Sequence, residues 1–569
     1  MRRFGTWLLF IVAMIVTLGS AYGAYTLAGY SWSQVVDYRS PFADYDRPWI
    51  NESGPAIRGG SASAEDTVTP ESRRVVLVII DGLRMDASTT MTSLDILRGY
   101  GADMAATTPQ PSLSFPTWTT ILSGAPPQIS GVPTNWFENP VPVETLFDTS
   151  LAAGKTVVVS APDDFSMLYE AERADGSYFE SWKEDEYMST RMVDNAISLV
   201  AEHDPELLVV HLPDADEAGH QYGSDSDEYR STVGQIDADL SRLVQALQDD
   251  RTAFVICADH GHIPTGGHGG WERDVTVVPA IFTGAGVRLN SGSIDQIDIA
   301  PTVAALLDID IPRNAMGRVR GEVLLAGEEY AEEFGSAHYS AFAEEYVATL
   351  GGTTGFSIKS STDARAAIDA MTQEREDSDR NDRLAMALAL VGAALGALVV
   401  LGLGSWRALV AASAGTAAYY AIYNGLYFVF HGHQWSLSAF NSEDLVEAFF
   451  NLRMIEATVA AVLGVIVAGV VYPYLRRHPQ GPRQGFLGGW LALGTATVLT
   501  MQATLAFQVA WFLWRYGAEI SWRLPNLKWG FKYDLDLIQM TGLGAAVLVA
   551  PLVTYLVGRY HPRVRRATE

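Results

Sequence analysis

Apolar stretches of two lengths occur along this chain, and each length predicts a different kind of element. Six stretches have about 20 or more mostly apolar residues, the length that an α-helix needs to cross a bilayer. The first lies in the segment between Arg3 and Asp37, which contains no charged residue. The other five lie in the C-terminal third, at residues 384–404, 408–430, 454–475, 486–514 and 537–558. They predict a multi-span α-helical membrane domain.

Shorter apolar runs, rich in β-branched residues, are typical of buried parallel strands. They occur at residues 75–80, 156–160, 207–212, 253–258 and 278–282. Segments with the apolar spacing of helices lie between and after them, as at 228–248 and 296–309. Strands that alternate with helices predict an α/β fold, in which helices cover a central sheet.

The two patterns divide the chain into five segments. Residues 1–29 predict a helix that is either retained as an anchor or removed as a signal peptide; its uncharged stretch exceeds the usual core of a signal peptide, which favours retention. Residues 30–72 contain the polar, aperiodic run 51–72 and predict a tether. The remaining segments are the α/β domain at 73–370, a charged stalk at 371–383 and a membrane domain with five helices at 384–569.

The charge of each segment predicts its side of the membrane. Residues 30–383 carry 58 acidic and 24 basic residues, whereas residues 384–569 carry 8 and 13. The acidic segment excludes nucleic acid as a partner, because phosphate backbones bind basic surfaces. Arginine-rich loops stay in the cytoplasm, so six spans leave residues 30–383 on the extracytoplasmic side of an integral membrane protein. Cys257 is the only cysteine, which excludes a disulfide within the chain.

Acidic side chains follow three of the predicted strands. Asp81 follows the first run, Asp216 follows the run at 207–212, and Asp259 follows the run at 253–258. Because functional sites of parallel sheets lie beyond the carboxyl ends of the strands, we expect these carboxylates to converge. Buried carboxylates repel one another unless a cation compensates them.

Histidines near these acids supply nitrogen ligands for such a cation. The candidates are His220, His260 and His268. Mixed Asp and His ligands without a thiolate favour zinc, with manganese as the alternative. We interpret His211, Asp214 and His262 as structural residues or as supports of the ligands.

Five motifs, taken together, resemble the alkaline phosphatase superfamily, specifically its type I phosphodiesterase/nucleotide pyrophosphatase branch and the GPI ethanolamine phosphate transferases. They are "VIIDGLR", "PSLSFPTWTTILSGAPPQISGV", "DEAGHQYGSDSDEYRSTVGQIDADL", "DHGHIPTGGHGG" and "QIDIAPTVAALLDIDIPRNAMGRV". The resemblance covers roughly residues 73–320. It implies that 73–370 is a catalytic domain with an alkaline-phosphatase-like sheet sandwiched by helices.

The resemblance also implies a role for individual residues. One metal would be held by Asp81, Ser114, Asp259 and His260, and the second by Asp216, His220 and His268. Ser114, at the start of a predicted helix, would be the nucleophile. Thr117 stands where the phosphodiesterase branch commonly has an asparagine that contacts the phosphate, which weakens any claim to nucleotide substrates; we expect Thr117 to contact a phosphoryl oxygen.

The function implied is a membrane-bound phosphotransferase with two divalent metal ions, acting on a phosphodiester. It would move a phospho-headgroup such as phosphoethanolamine between lipid-linked molecules through a phospho-serine intermediate. The alternative is a membrane-anchored extracytoplasmic phosphodiesterase or phosphatase that uses water as the acceptor. A non-enzymatic ectodomain is disfavoured, because every expected ligand and nucleophile position is chemically competent. Phosphodiester substrate and membrane lipids are the expected partners.

Two outer loops of the membrane domain carry further polar residues. We interpret His431, His433 and Glu443 as solvated loop residues, and Glu456 as facing the membrane interface. The loop at 515–536 mixes tryptophans with basic residues. It is typical of an aromatic belt, with a headgroup site facing the catalytic domain as the alternative.

Overall fold

A computed structural model of the chain describes residues 2–46, 74–182, 186–353, 355, 357–441, 445–476 and 489–565. The predicted tether at 51–72 and Glu443 lie outside these residues. The chain forms two compact units. The α/β unit comprises Val35–Glu376 and Ile520–Leu527, and the membrane unit comprises Met1–Gln34, Asp377–Glu519 and Lys528–Glu569.

One eight-stranded sheet forms the centre of the α/β unit. Its strands are β1 (Arg74–Ile80), β2 (Ala102–Thr107), β3 (Val157–Pro162), β4 (Gly176–Glu180), β5 (Leu207–Leu212), β6 (Thr252–Ala258), β7 (Val277–Gly284) and β8 (Asn290–Asp295). Their order across the sheet is β4-β3-β5-β1-β6-β7-β2-β8. The central strand β1 therefore lies between β5 and β6, to both of which it is parallel.

Strand β7 corrects one expectation. It pairs antiparallel with both β6 and β2, whereas the run at 278–282 was expected to be a parallel strand. Residues 259–276 contain only a short helix, which is too little for a crossover back to the far end of the sheet. The chain therefore re-enters the sheet from the carboxyl edge, in the opposite direction.

Helices surround this sheet. They are α2 (Met85–Ser88), α3 (Thr92–Arg98), α4 (Ser114–Ser123), α5 (Pro127–Ser130), α6 (Leu146–Ala152), α7 (Asp163–Tyr169), α8 (Ser189–His203), α9 (Asp214–Tyr222), α10 (Asp227–Leu247), α11 (Arg273–Thr276), α12 (Ile299–Leu307) and α13 (Gly327–Thr349). Helix α8 packs on β3 and β5, and α12 packs on β1 and α4. Every residue of β5 and β6 is buried, so both faces of the sheet are covered. The predicted α/β fold is confirmed.

The membrane unit is helical. Its elements are α1 (Arg2–Val36), α14 (Ser361–Asn424), a π-helix (Gly425–Phe430), α15 (Val446–Val471), α16 (Trp490–Arg515), α17 (Leu527–Tyr560) and α18 (Pro562–Arg565). Of these, α1 ends in the α/β unit, and α14 and α17 begin in it. Among the described residues, five helices are long and apolar enough to cross a membrane. The protein is therefore an integral membrane protein.

Helix α14 contains a break at Ser405, whose φ of −165° and ψ of 97° are not helical. The break lies between the two spans that the sequence predicts at 384–404 and 408–430. The five-segment division of the chain stays a prediction.

Candidate metal centre and nucleophile

The ends of three adjacent strands supply the acidic side chains of the site. Asp81 follows β1, Asp259 follows β6, and α9 starts two residues after β5 and carries Asp216. Because β5, β1 and β6 are neighbours and parallel, their carboxyl ends meet at one edge. The turn after β1 requires glycine: Gly82 has a φ of +68°, and a Cβ there would lie 2.6 Å from the Cα of Asp216.

The first group of possible metal ligands is Asp81, Asp259 and His260, whose ligand atoms lie within 4.8 Å of one another. His260 Nε2 is 3.4 Å from Asp81 Oδ1 and 3.4 Å from Asp259 Oδ2. Asp259 is held by two amides and an indole: Oδ1 accepts from Gly82 N at 3.0 Å and His260 N at 2.7 Å, and Oδ2 accepts from Trp118 Nε1 at 2.8 Å. The group is fully buried.

The second group is Asp216, His220 and His268, again within 4.8 Å. Asp216 and His220 lie four residues apart on α9, with 3.4 Å between Oδ2 and Nε2. His268 comes from the loop after β6, where Gly266, Gly267 and Gly269 all have positive φ. Its Nε2 lies 3.0 Å from Nε2 of His220, and its Nδ1 lies 3.1 Å from the carbonyl oxygen of Ser112. The ring of His268 stacks on His260 with 3.7 Å between centroids, so the two groups are adjacent.

Two further histidines contact the ligand carboxylates. His262 Nε2 lies 2.7 Å from Asp216 Oδ1, and His211 Nε2 lies 3.1 Å from Asp81 Oδ2. Burial lowers the pKa of His262 to about 4 and that of His211 to about 3. Both rings are therefore neutral, which agrees with a supporting role. His262 also belongs to a third possible ligand group, with Asp216 and His260.

The chemistry of these donors fits divalent cations. Asp81 Oδ1 is buried and has no hydrogen-bond partner among the residues that the structure describes. Burial raises the pKa of Asp81 well above its ordinary value, and the charges of Asp259 and Asp216 raise it further. Burial likewise raises the pKa of Asp259. A cation would remove the cost of these buried negative charges.

Ser114 is the first residue of α4, and its side chain is buried. Its Oγ lies 3.2 Å from His260 Nε2, which brings the expected nucleophile to the first ligand group. The neighbouring hydroxyl of Ser112 instead donates to the carbonyl oxygen of Gly270 at 2.8 Å. Of these two serines, Ser114 is the one with its hydroxyl beside a ligand.

The hydroxyl of Thr117 is directed into its own helix. It donates to the carbonyl oxygens of Leu113 at 2.7 Å and Ser114 at 3.1 Å, and the residue has no exposed surface. The expected contact of Thr117 with a phosphoryl oxygen stays a prediction, while these bonds favour a structural role.

Asn135 is a residue that the sequence analysis missed. Its Oδ1 accepts the amide of Phe115 at 2.9 Å, which brings its carboxamide to the start of α4 beside Ser114. An asparagine in the aperiodic loop "VPTNWFENP" gives no spacing signal, so only the fold reveals this position.

Comparisons with known proteins agree with the motifs. The family model for type I phosphodiesterase / nucleotide pyrophosphatase matches residues 75–273. GPI ethanolamine phosphate transferase 1 of Mus musculus is 26% identical over 308 residues, which are 44% of this chain and 32% of the relative. The catalytic subunit of Homo sapiens GPI ethanolamine phosphate transferase 3 is 24% identical over 308 residues, which are 48% of this chain and 27% of the relative. The chain thus spans about a third of the length of these relatives.

Among solved structures, the alkaline phosphatase PafA gives a TM-score of 0.40 at 13% identity, over 46% of this chain and 100% of PafA. Murine ectonucleotide pyrophosphatase / phosphodiesterase 5 gives a TM-score of 0.36 at 13% identity, over 42% of this chain and 96% of the murine protein's chain. The family resemblance predicted from the motifs is confirmed by the family model and the curated relatives. Residues 75–273 thus resemble a type I phosphodiesterase / nucleotide pyrophosphatase domain.

Proposed function

We propose that this protein is a membrane-bound, two-metal phosphotransferase, which transfers a phospho-headgroup such as phosphoethanolamine between lipid-linked molecules through a covalent intermediate on Ser114. The observation that carries the proposal is the position of the Ser114 hydroxyl, 3.2 Å from His260 at the start of a buried helix. The relatives named GPI ethanolamine phosphate transferases support the choice of transferred group.

Two divalent cations belong to this proposal. The residues that would hold them are Asp81, Ser114, Asp259 and His260 for one, and Asp216, His220 and His268 for the other. Zinc suits these oxygen and nitrogen ligands, with manganese as the alternative. Such cations lower the pKa of a hydroxyl nucleophile and stabilise negative charge on phosphoryl oxygens.

Helix α4 prepares Ser114 for attack. The positive end of the helix dipole favours negative charge on its oxygen and on a phosphoryl group beside it. The amide of Phe115 already bonds to Asn135, and Pro116 has no N–H. We therefore expect the carboxamide nitrogen of Asn135 to donate to a phosphoryl oxygen in place of these amides.

The reaction has two balanced steps. In the first, Ser114 Oγ forms a bond to phosphorus, the bond from phosphorus to the donor's alcohol oxygen breaks, and that alcohol takes a proton. In the second, the acceptor hydroxyl forms a bond to phosphorus, the Ser114–phosphorus bond breaks, and the serine regains a proton. Transfer and hydrolysis differ only in the acceptor, which is an alcohol in one and water in the other.

The compartment is also part of the proposal. The acidic segment 30–383 would face the extracytoplasmic side, because the basic loops of the membrane segments favour the cytoplasm. Catalysis would then use lipids of the outer leaflet.

The test uses the full-length protein in membranes with a phosphodiester lipid labelled in its headgroup. Wild type should carry the label on the peptide that contains Ser114, and should pass it to an acceptor lipid. Ser114→Ala should remove both signals, and Ser114→Thr should keep part of the turnover because it keeps a hydroxyl. Ser112→Ala is the matched control.

Labelled peptide from Ser114→Ala would refute the assigned nucleophile. Release of free headgroup from wild type in the presence of an acceptor lipid, with no labelled lipid product, would favour the hydrolase over the transferase.

A further inference from the structure

Arg84 lies between three segments of the α/β unit, each of which carries expected metal ligands. Its own segment is the turn after β1, and its side chain is only 9% exposed. Nη1 donates to Ser224 Oγ at 2.8 Å and to Asp225 Oδ1 at 2.9 Å, in the loop that follows α9. Nε and Nη2 donate to Asp86 at 2.9 Å and 2.8 Å. Nη2 also lies 3.9 Å from Oδ2 of Asp274, at the end of the loop that follows β6.

The bond to Ser224 contributes more to the position of these segments than the ion pairs do. The carboxylates of Asp86, Asp225 and Asp274 are all more than half exposed, and exposed ion pairs are worth little. The bond between Arg84 and Ser224 is buried, so breaking it leaves an unpaired polar group inside the protein. The position of Arg84 is therefore coupled mainly to that of Ser224.

Ser224 extends this connection to the loop after β6. Its hydroxyl donates to the carbonyl oxygen of Ile263 at 3.0 Å. The stem of Arg84 packs on the same loop, because a Cβ at Gly261 would lie 3.3 Å from Cγ of Arg84. Arg84 and Ser224 together therefore join the loop after α9 to the loop after β6.

The backbone of Arg84 is held by a tyrosine. Its amide donates to the hydroxyl of Tyr229 at 3.0 Å, and that hydroxyl donates to the carbonyl oxygen of Gly82 at 2.8 Å. Tyr229 has no exposed surface and lies on α10, the helix that follows Ser224. The turn after β1 is thus bonded to α10, which gives the side chain of Arg84 a fixed starting point.

The first ligand group does not depend on these bonds. Asp81 follows β1 and Asp259 follows β6, and the two strands pair over their whole length. The sheet itself therefore fixes the separation of these two carboxylates.

The second ligand group joins a helix to a loop, without strand pairing between them. His220 lies on α9, and His268 lies in the loop after β6. The bonds from Arg84 to Ser224 and from Ser224 to Ile263 connect a residue four positions after His220 to one five positions before His268. A break in this chain of bonds would let the two imidazoles move apart.

We propose that Arg84 is a positioning residue for the second ligand group. Acting through Ser224, it sets the separation between α9 and the loop after β6. That separation decides whether Asp216, His220 and His268 can share one cation. The inference rests on the proposed function, because it takes a divalent cation to occupy this group.

The test measures zinc release from purified full-length protein in detergent as a chelator of known affinity is added. Wild type should release two ions, one from each ligand group. Arg84→Met removes the guanidinium and keeps an unbranched apolar stem, and Ser224→Ala removes the hydroxyl that joins Arg84 to Ile263. Each change is also made in His268→Ala, which keeps only the first group intact.

A second arginine of the same unit provides matched controls. Arg98 is 12% exposed and, like Arg84, forms four side-chain hydrogen bonds among the described residues. Ser88 accepts one of them at 2.7 Å and donates to the carbonyl oxygen of Met85 at 2.7 Å, just as Ser224 links Arg84 to a carbonyl oxygen. Arg98→Met and Ser88→Ala therefore remove equivalent bonds in segments that carry no expected ligand.

One of the two ions should bind about tenfold or more weakly in Arg84→Met, and about threefold to tenfold more weakly in Ser224→Ala, because the second group loses its spacing. The other ion should keep its affinity to within about twofold, since the sheet fixes the first group. In the His268→Ala protein neither change should have an effect. Arg98→Met and Ser88→Ala should release both ions as wild type does.

Three results would overturn the proposal. They are unchanged release of both ions in Ser224→Ala, equal weakening of the two ions, and an equal effect of the control variants, which would show a general loss of stability. Ser224→Ala decides the question if Arg84→Met does not fold. Wild type that binds fewer than two zinc ions would instead refute the proposed two-metal function, and this inference with it.

Discussion

His262 donates a hydrogen bond to Asp216, with 2.7 Å between Nε2 and Oδ1. Its Nδ1 accepts the amide of Gly267 at 3.1 Å, which fixes the ring with its proton on Nε2. The other oxygen of Asp216, Oδ2, lies 3.4 Å from His220. His262 therefore orients a carboxylate of the second ligand group.

Removing this support should weaken metal binding. We expect His262→Ala to lower the affinity for zinc about 10- to 100-fold, the usual effect of losing such a partner. The measurement is the concentration of a competing chelator that removes half of the zinc. His203→Ala, at the end of α8, is the control. Equal resistance of His262→Ala and wild type to the chelator would leave the bond without a role in metal binding.

The metal content tests the two ligand groups separately. Purified wild type should contain two zinc ions per chain, and a chelator should abolish turnover. Asp81→Asn should lose one ion and His268→Ala the other, because each removes a ligand from one group only. Asp239→Asn, a buried acid that bonds to Tyr187 and Thr190, is the control. Active wild type without metal would contradict the two-metal site.

Thr117→Val distinguishes a structural hydroxyl from one that contacts the substrate. The substitution keeps the shape and removes the bonds to Leu113 and Ser114, so we expect a loss of about 1 kcal/mol of stability and a fall in turnover of less than tenfold. Thermal unfolding and steady-state kinetics measure the two effects. A fall of a hundredfold without loss of stability would instead show direct contact with the phosphoryl group.

Glu144 predicts a pH dependence of stability. Burial raises the pKa of Glu144 from 4.5 to about 7. The hydrogen bond from Arg313 N lowers this pKa, and the charges of Asp148 and Asp310 raise it further. Between these two values the unfolded chain loses the proton while the folded chain keeps it, so this residue makes stability fall as pH rises.

Glu144→Gln removes that titration. The Tm of the variant minus the Tm of wild type should be higher at pH 8 than at pH 5, by about 2 °C or more. The measurement is the difference in Tm at the two pH values. Glu206→Gln is the control, because its carboxylate also accepts a backbone amide, that of Thr156. The same Tm difference between Glu144→Gln and wild type at both pH values would contradict the raised pKa of Glu144.

The single cysteine makes the topology easy to test. Cys257 is buried in β6, and burial raises the pKa of its thiol well above the ordinary value, so it should not react. In intact cells a membrane-impermeant maleimide should label Asp250→Cys but not Arg407→Cys. The reverse labelling pattern would place the α/β unit in the cytoplasm.

The sequence could predict which candidate ligands come together, because their signal is local. Asp81, Asp216 and Asp259 each follow an apolar run, and parallel strands bring such positions together whatever the details of packing. The direction of β7 was harder to predict, because it depends on how the loop at 259–276 returns to the sheet. Periodicity along a single run cannot show that.

Residues that act through a side-chain contact were not predictable in this way. Asn135 lies in an irregular loop, and its place beside Ser114 results from a single bond to Phe115. His431 and Glu456 lie in separate segments, where each reads as one isolated polar residue, yet Nε2 of His431 lies 2.8 Å from Oε1 of Glu456. That contact depends on how the helices pack and rotate about their own axes, which hydropathy does not encode.

The strand order has a consequence for when a nascent chain could bind the proposed cations. The ligands run from Asp81 to His268, and the sheet brings them together only when β5 and β6 have paired on either side of β1. Before that, a growing chain offers separate carboxylates and imidazoles but no assembled pocket. Uptake of the proposed cations would therefore come late, and a chain that holds both of them would be one whose sheet has closed correctly.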